Sequence, residues 1–487
     1  MTNTDYLRLL KLLAPECVAV LTVFLVLLAD LQFWRNWSVR ARSFGAASIL
    51  TLGFGAAAGL LIWKRAVTAD LLGGTLVLSP VSQYVKLALL GLAIVTAWLC
   101  TEGEFTKHVG EFVALIALAT TGMMFLVSTE NLLMVFVALE LVSLSLYVMT
   151  AFNKRSPRSA EAALKYFLFG GMAAAFTLFG FSFLYGLTGS IHLPTIAAKI
   201  SWQAADPLTL VAIVLVVAGF GFKIAAVPFH LWAPDAYEGA PAPAAAFIAS
   251  GSKVASFFVL GKLLQVGLPG VAGSGAWKAF TPGWIAVVAI VATASMVFGN
   301  LAALAQSNLR RLLAYSAIAH SGYAMLALIG GSQSALLYYA ITYAVTSVGA
   351  FGVIAVMENR TGNEAIAGLA GLRERSFLLS AVLTVFMLSL AGIPPLAGFF
   401  GKFYVFIAAA KQGAGLGYWW LVAVALAASC VSLYYYLQVL KQVWVTPAGE
   451  GQGKVSGGII VSGLLVVMAL VVVVAGCAPE LLLRLLK

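Results

Sequence analysis

The chain has 487 residues, of which 62% are hydrophobic and only 10% are charged, and its mean hydropathy is +1.00. Average soluble proteins carry about 25% charged residues, so this composition excludes a soluble globular domain. The net charge of +11 does not indicate a nucleic-acid partner, because the basic residues lie in short loops and not on one polar face. Apolar runs of about 20 residues recur from end to end, which predicts a protein that crosses a membrane many times.

Lipid cannot satisfy exposed backbone amides and carbonyls, so the apolar runs must be α-helical. A β-barrel would show short alternating strands, whereas these runs are continuous. We predict fourteen spans and one all-α membrane domain, since no long polar linker interrupts the chain. The predicted spans are 12–33, 43–63, 80–100, 109–128, 131–152, 160–188, 207–232, 242–266, 283–305, 311–330, 334–357, 377–410, 416–440 and 457–477. Lys and Arg are more frequent in the odd-numbered loops, which places those loops in the cytoplasm and both termini on the outer side.

Two segments suggest an internal repeat. GFGFKIAAVPFHLW from residue 219 and AGIPPLAGFFGKFYVF from residue 391 each combine glycines, a proline break and one buried lysine. Broken helices at equivalent places in two halves are typical of inverted repeats, with ion sites where the helices unwind. We therefore predict N-terminal helices over 1–108, a first five-helix repeat over 109–266, a second over 283–440 and a C-terminal helix within 441–487.

Sequence motifs for cofactors and metals are missing. There is no Walker A loop, no dinucleotide-binding GxGxxG after a strand and no HExxH motif. Cys17, Cys100, Cys430 and Cys477 lie in or beside apolar runs without CxxC or CxxH spacing, which favours ordinary core cysteines. The N-terminus shows no basic segment with a small-residue cleavage site, so we expect no removable signal peptide. We also expect no metal and no redox cofactor in this chain.

Charges inside the apolar runs are the candidates for function, because a lysine at membrane depth costs at least about 2.5–3.5 kcal/mol and needs a partner, a cavity or a role. Glu140 lies in the middle of its predicted helix and is either a structural ion-pair partner or a proton-handling acid. Lys223 lies within an apolar run that Pro228 interrupts, and its central position does not suit snorkelling. Proline frees a backbone carbonyl upstream, where a chain of water molecules could run.

Lys165 follows Glu161 at the spacing that places acid and base on one helical face, which predicts a local ion pair. Alternatively it lies deeper and reaches Glu140 on the neighbouring helix. His230 comes after the proline break, between Lys223 and Lys253 in sequence, and is either a core histidine or part of a proton relay. Lys253 has the small neighbours of ASGSKVA, which leave room for water, and we predict that it is the second lysine of a relay.

His320 has Ser316, Ser321 and Tyr323 close in sequence, so it is either satisfied structurally by hydroxyl groups or part of the same relay. Lys402 follows a proline and glycine cluster and has a setting like that of Lys223, which predicts the terminal member of the relay. Glu16 and Lys86 lie nearer the ends of spans, and for these two the solvated or snorkelling interpretation is favoured.

Three segments carry a resemblance to a known family. GFKIAAVPFHLWAPDAYEGAPAPAAAFIASGSKVA, NLRRLLAYSAIAHSGY and LSLAGIPPLAGFFGKFYVF resemble the antiporter-like membrane subunits of respiratory complex I, the NADH:quinone oxidoreductase, and most closely the NuoN type. Matching segments span roughly residues 130–435. Lysine at position 402 argues against the NuoM type, and the lack of a long C-terminal lateral helix argues against the NuoL type.

The resemblance implies fourteen transmembrane helices, two inverted five-helix repeats and broken seventh and twelfth helices. It also implies that Glu140 and Lys223 form a carboxylate–lysine pair, that Lys253 is the central relay residue, and that Lys402 is the terminal lysine. Lys165, His230 and His320 match further polar positions along the same axis. The other membrane subunits would be its partners, with NAD, FMN, iron–sulfur clusters and quinone in partner subunits, and its location the bacterial inner membrane.

We therefore expect a proton-translocating subunit that couples quinone reduction elsewhere in the complex to proton pumping. Two alternatives stay open at this point. The chain could belong to a cation/proton antiporter or a membrane-bound hydrogenase complex, since related subunits share these charges. It could also be a passive scaffold in which buried charges only hold helices together.

Overall fold

The computed structural model describes residues 3–201, 207–362, 364–413, 416–449 and 453–486. These residues are mostly α-helical. The helices are α1 Asn3–Leu12, α2 Ala14–Leu28, α3 Val39–Trp63, α4 Pro80–Leu99, α5 Val109–Val127, α6 Leu132–Thr150, α7 Pro157–Thr188, α8 Leu193–Lys199, α9 Pro207–Lys223, α10 Trp232–Gly239, α11 Ala242–Ala249, α12 Gly251–Lys262, α13 Trp284–Leu304, α14 Leu309–Ile329, α15 Gln333–Thr361, α16 Leu372–Arg375, α17 Phe377–Ala391, α18 Ala397–Ala410, α19 Trp419–Trp444, α20 Ile459–Cys477 and α21 Pro479–Leu485. Single π-helical turns follow α2 at Ala29–Phe33 and α12 at Leu263–Gly267.

Within the described ranges, twelve helical segments are long and apolar enough to cross a membrane. Three shorter apolar helices, α9, α17 and α18, accompany them. The prediction of an all-α, multi-pass membrane protein is therefore confirmed. The count of fourteen spans stays a prediction. It is reached only if α9 and α10 together make one crossing and α17 and α18 together make another. The predicted orientation of the two termini stays a prediction. The terminal residues themselves, the first two and Lys487, lie outside the described residues.

Two short β-hairpins, which the sequence did not predict, lie in loops between helices. Strands β1 Ala69–Leu71 and β2 Leu76–Leu78 pair antiparallel with Ala69 opposite Leu78. Strands β3 Ser274–Ala276 and β4 Ala279–Thr281 pair antiparallel with Ser274 opposite Thr281. Each strand has three residues, too few for an alternating pattern to stand out from the surrounding loop.

The predicted break near Pro228 separates α9 from α10. The peptide bond before Pro228 is cis, and Ala225 has a left-handed φ of 57°. Neighbouring groups satisfy the unwound backbone: the Val227 amide donates to Ser295 Oγ at 2.9 Å, and Trp232 Nε1 donates to the Phe222 carbonyl at 2.9 Å. Hydrogen bonds to neighbouring protein groups allow irregular backbone at membrane depth, where no lipid group could replace them.

The second predicted break separates α17 from α18, and it contains a cis Pro394–Pro395 bond. Gly392 ends α17 in the left-handed conformation, with φ of 87°, a conformation that glycine adopts without steric cost. A third interruption, absent from our prediction, divides the span 242–266 at Ser250. The Ser250 hydroxyl donates to the Ala246 carbonyl at 2.7 Å, and Lys253 then lies in the first turn of α12.

The helices differ in how much protein surrounds them. Helices α11 and α12 are wholly buried, and α14 is almost wholly buried. By contrast, α3, α7 and α20 leave most of their residues at the surface of the chain. The polar side chains described below are carried largely by α12, α14 and the broken helices, so they lie in the interior of the bundle.

Candidate functional site

The first part of the site lies between α6 and the end of α9. Glu140, Ser143 and Tyr147 share one face of α6, since they follow one another at helical spacing. Lys223 is the last residue of α9, where a cation is favoured by the partial negative charge of the helix C-terminus. Its ammonium donates to Ser143 Oγ and lies 5.9 Å from the centroid of the Tyr147 ring.

The expected contact between Glu140 and Lys223 is indirect. In the part of the chain that the structure describes, no ion pair joins the Glu140 carboxylate to a cation. Glu140 nevertheless acts on Lys223 electrostatically, and Ser143, one helical turn further along α6, holds the ammonium. The direct ligand of Lys223 is therefore the Ser143 hydroxyl and not the Glu140 carboxylate. The sequence did not predict this role for Ser143.

A freed carbonyl connects the first break to the second lysine. In a continuous helix the Ile224 carbonyl would accept from the amide of residue 228, but proline has no N–H. Instead, the Ser321 hydroxyl donates to the Ile224 carbonyl at 2.5 Å, with the Ala317 carbonyl as an alternative acceptor at 2.9 Å. The Lys253 ammonium donates to Ser321 Oγ at 3.1 Å and to the Ala317 carbonyl at 2.8 Å. The hydroxyl of Ser321 therefore joins the break to Lys253.

Aromatic and hydroxyl groups continue from Lys253 to His320. The Lys253 ammonium lies 5.7 Å from the Tyr343 ring centroid, and that ring lies 4.8 Å from the His320 ring. His320 Nδ1 is 2.7 Å from the Tyr339 hydroxyl, and Nε2 is 3.2 Å from the Tyr436 hydroxyl. The ring nitrogens thus have one hydroxyl partner each. His320 lies within the electrostatic reach of both Lys253 and Lys402.

Lys402 repeats the chemistry of the first break. The Ala391 carbonyl would accept from residue 395 in a continuous helix, and residue 395 is also proline. The Lys402 ammonium donates to this freed carbonyl at 2.9 Å and to Ser429 Oγ at 2.9 Å. It lies 5.1 Å from the Tyr323 ring, which in turn contacts the His320 ring edge-on at 5.7 Å. We call the set Ser143, Lys223, Ser321, Lys253, Tyr343, His320, Tyr339, Tyr323 and Lys402 the central row.

Besides Glu140, which lies beside the row on α6, two predicted residues lie outside the central row. Lys165 does not reach Glu140, because its ammonium is held by Glu161 at 2.6 Å and Asp235 at 2.8 Å, with 41% of its side chain exposed. The local ion pair with Glu161 is the alternative that the structure supports. His230 is buried, but its ring packs on Phe298 at 4.8 Å and its Nδ1 has no hydrogen-bond partner among the described residues. The structure therefore does not bring His230 between Lys223 and Lys253.

A network of ion pairs that the sequence analysis missed surrounds α10. Arg311 pairs with Asp235 and Glu238 at 2.8 Å each, which ties α14 to α10. The Arg310 guanidinium donates two hydrogen bonds to the Glu358 carboxylate and another to the Ala240 carbonyl, at 2.6 Å. Cavities of about 320 and 250 Å³ open beside this network. The acidic residues in PDAYEG after the break were a usable signal, but their partners lie on distant helices.

Removal of the Arg310 side chain should destabilise the fold. In Arg310→Met the half-buried Glu358 carboxylate would lose its cation, so we expect the free energy of unfolding to fall by about 3 kcal/mol, the lower end of the range for a broken buried pair. Chemical denaturation of the detergent-solubilised chain measures this change. The double variant Arg310→Met/Glu358→Gln, which removes both charges, should recover most of the loss. Equal stability of the single variant and the unmodified chain would contradict the assigned role of the pair.

The prediction that Glu16 and Lys86 are solvated is wrong. Lys86 Nζ lies 2.5 Å from Glu16 Oε1, and both side chains are about 1% exposed. The two residues find each other across α2 and α4, so neither needs to reach the interface. A second pair, the buried Lys262 with the half-buried Glu130 at 3.3 Å, lies nearby. Among the described residues, no group of three or more His, Cys, Asp or Glu side chains could hold a metal ion.

Comparisons with known proteins agree with this architecture. Residues 128–432 match the family model for the NADH:quinone oxidoreductase/Mrp antiporter transmembrane region. The chain is 49% identical to NADH-quinone oxidoreductase subunit N 2 of Acidobacterium capsulatum over the full length of both chains.

Solved structures show the same likeness. The chain matches a subunit of respiratory complex I from Thermus thermophilus with a TM-score of 0.79 and 34% identity, covering 96% of this chain and 98% of the other. It matches a subunit of the Mrp complex from a Dietzia species with a TM-score of 0.80 and 20% identity, covering 96% of each chain. The second likeness shows a shared fold alone.

Proposed function

The chain belongs to the family of NADH:quinone oxidoreductase and Mrp antiporter membrane subunits, and from this membership we propose that it is the N-type, proton-translocating membrane subunit of an NADH:quinone oxidoreductase. Its partners are other membrane subunits of that complex. Oxidation of NADH and reduction of quinone would take place in partner subunits that hold the flavin and iron–sulfur centres. This chain would transfer protons only.

The observation that carries the proposal is the central row. The half-buried Lys223 and the buried Lys253 and Lys402, none held by a direct carboxylate partner in the described chain, alternate with hydroxyl groups and a histidine between two broken helices. A row built only for stability would satisfy each ammonium with a carboxylate or would use apolar residues instead. Neutral ligands leave each lysine able to lose its proton, which a relay requires.

Proton transfer would begin at Lys223. While Glu140 is close, its charge favours the protonated ammonium, and movement of Glu140 away favours release of the proton. The Ser321 hydroxyl lies between the Ile224 carbonyl and the Lys253 ammonium, so with a water molecule on the Lys223 side it would accept a proton from that water and donate its own to a neutral Lys253. His320, with a hydroxyl at each ring nitrogen, would accept on one side and donate on the other towards Lys402.

We propose further that residues 109–266 and 283–440 are two equivalent units, each contributing one broken helix to the row. The repetition of a proline-freed carbonyl at Ile224 and Ala391 supports this division. We place the protein in the bacterial inner membrane, with both termini on the outer side, as the distribution of basic residues favours.

The proposal is tested by purifying the native complex through a tag on this chain. We expect partner subunits with flavin and iron–sulfur centres, and acidification driven by NADH when the complex is reconstituted in liposomes. The rival function, a cation/proton antiporter, predicts exchange of sodium for protons without NADH turnover. That outcome, with no flavin-containing partner, would replace our proposal.

Ser321→Ala should lower NADH-driven proton pumping about tenfold, because the hydroxyl that joins the first break to Lys253 is lost, and proton-transfer groups contribute at least this much. Ser252→Ala is the matched control. Its hydroxyl is also buried and, among the described residues, donates to the Ile248 carbonyl of the preceding helix α11 and to no member of the central row, so pumping should not change. Equal pumping by the two variants would contradict the link through Ser321.

A further inference from the structure

A groove on the surface of the bundle lies where α15, α20 and α21 meet α3 and α4. It consists of two adjoining cavities of about 430 and 450 Å³, and Ile341, Leu482 and Leu485 line both. Ile341 faces away from Tyr339 and Tyr343, because residues two apart on a helix lie on nearly opposite sides. The groove is therefore separate from the central row, and each cavity has the volume of a small-molecule site.

The first cavity is lined by apolar side chains of α15, α20 and α21, together with Thr342. The Thr342 hydroxyl is already used, because it donates to the Tyr338 carbonyl of its own helix at 2.7 Å. Leu470 and Leu481, which also line the cavity, are 57% and 63% exposed, so it opens on the surface of the chain. Apolar cavities do not hold ordered water, and hydrocarbon is the chemistry that fits this one.

The second cavity contains a cation. Arg65, which follows α3, lines it together with Tyr84 of α4, and the Arg65 guanidinium has no hydrogen-bond or ion-pair partner among the described residues. Trp63, two residues earlier, is 80% exposed. Exposed tryptophan and arginine at the end of a membrane-spanning helix are typical of the headgroup level of a bilayer. The cation therefore lies where the polar end of a lipid would lie.

The two cavities together cover the depth of one leaflet. Ile341, which both share, lies eight residues after Gln333, the first residue of α15, which is about 12 Å at 1.5 Å per residue. Val345, in the first cavity alone, lies about 18 Å along the same helix. The hydrocarbon core of a bilayer is about 30 Å thick, so Val345 is near its middle. The groove thus runs from headgroup level to the depth at which acyl chains end.

The occupant that fits this groove is an amphiphile with a negative charge. A neighbouring helix is about 10–12 Å wide with its side chains, and cavities of these volumes would hold only about two turns of it, too few for a membrane-spanning partner. A headgroup ammonium would lie beside Arg65, and no carboxylate among the described residues lines either cavity. A lipid whose headgroup carries only the negative phosphate avoids this repulsion.

We propose that the groove binds one anionic phospholipid, such as phosphatidylglycerol, with its phosphate on Arg65 and Tyr84 and an acyl chain along α15 and α20. The bound lipid would join the C-terminal helices α20 and α21 to α3 and α4. The site goes beyond the proposed function and does not depend on it, because the described lining residues include no member of the central row.

Native mass spectrometry of the full-length chain in detergent tests the site, with phosphatidylglycerol and phosphatidylethanolamine of the same acyl chains as probes. We expect one phosphatidylglycerol to stay bound under conditions that remove phosphatidylethanolamine. Arg65→Gln should lower phosphatidylglycerol binding about fivefold, because the cation at headgroup level is lost. Arg40→Gln is the matched control, since Arg40 is exposed at the other end of α3 and should leave the binding unchanged.

A second variant tests the apolar part of the groove. Val471→Trp places a large side chain in the first cavity from a position on α20 that is 46% exposed, so the fold should tolerate it and the binding of both lipids should be lost. Leu52→Trp, at an exposed position on α3 outside the groove, is its control. Phosphatidylglycerol binding equal to that of the unmodified chain, in either Arg65→Gln or Val471→Trp, would refute the site.

The same lipid count on the native complex distinguishes a lipid from a neighbouring subunit as the occupant. We expect the complex to carry one phosphatidylglycerol fewer when the chain contains Arg65→Gln. An unchanged count in the complex would mean that a neighbouring subunit covers the groove, and the lipid site would be refuted while the proposed function stands.

Discussion

Lys223→Arg should abolish the proton pumping that this chain contributes, a loss of about a hundredfold or more in transfer through the row, typical of the removal of a proton-transfer group. The substitution keeps the positive charge at the end of α9 and a donor for Ser143. Arginine, however, does not lose its proton in proteins, whereas a buried lysine can. The variant thus separates proton transfer from charge.

This result distinguishes the pump from a passive scaffold. If buried charges only hold the helices together, arginine serves as well as lysine, and NADH-driven pumping by the reconstituted complex stays unchanged. Lys165→Arg is the matched control, since Lys165 is held by two carboxylates outside the central row and should tolerate the change. Normal quinone reduction with an unchanged proton-to-NADH ratio in Lys223→Arg would refute the proposed mechanism.

Lys253→Met should have effects of opposite sign on activity and on stability. Proton transfer through the central row should fall by about a hundredfold, because Lys253, the middle proton carrier, is lost. The fold should be as stable as the unmodified chain or more stable, since Lys253 is buried with only a carbonyl and a hydroxyl as ligands and its charge costs free energy there. Methionine fills a similar volume without a charge.

Two measurements on the same preparation test this pair of expectations. Pumping in liposomes gives the loss of activity, and the midpoint of thermal unfolding in detergent gives the stability. Lys278→Met, at an exposed position in the loop before α13, is the control and should change neither quantity. A strong drop in thermal stability with Lys253→Met would mean that Lys253 holds the fold together, contrary to its assignment as a carrier.

Much of the central row was predictable because single-sequence signals locate charges and breaks. Hydropathy identified the apolar runs, and the prolines predicted both discontinuities together with a freed carbonyl. The spacing of Glu161 and Lys165 correctly predicted their ion pair. These features depend on residues close together in the chain, so local rules suffice.

The remainder depends on contacts between distant segments. Ser321 joins Ile224 and Lys253 only because α14 packs beside the break and α12, whereas its place in the sequence suggested a hydroxyl partner for His320. The Glu16–Lys86 pair was missed for the same reason, since each residue alone resembles an interfacial charge. The sequence also left two interpretations of His230 open, because proximity in sequence to two lysines does not show which groups its side chain contacts; its ring packs on Phe298.

The most direct test of the central claim is a cryo-electron-microscopy map of the intact complex that reveals ordered water. We expect water molecules that complete the contacts from Lys223 through Ser321 and Lys253 to His320 and Lys402. Dry, closely packed helices separating these side chains from one another would contradict it.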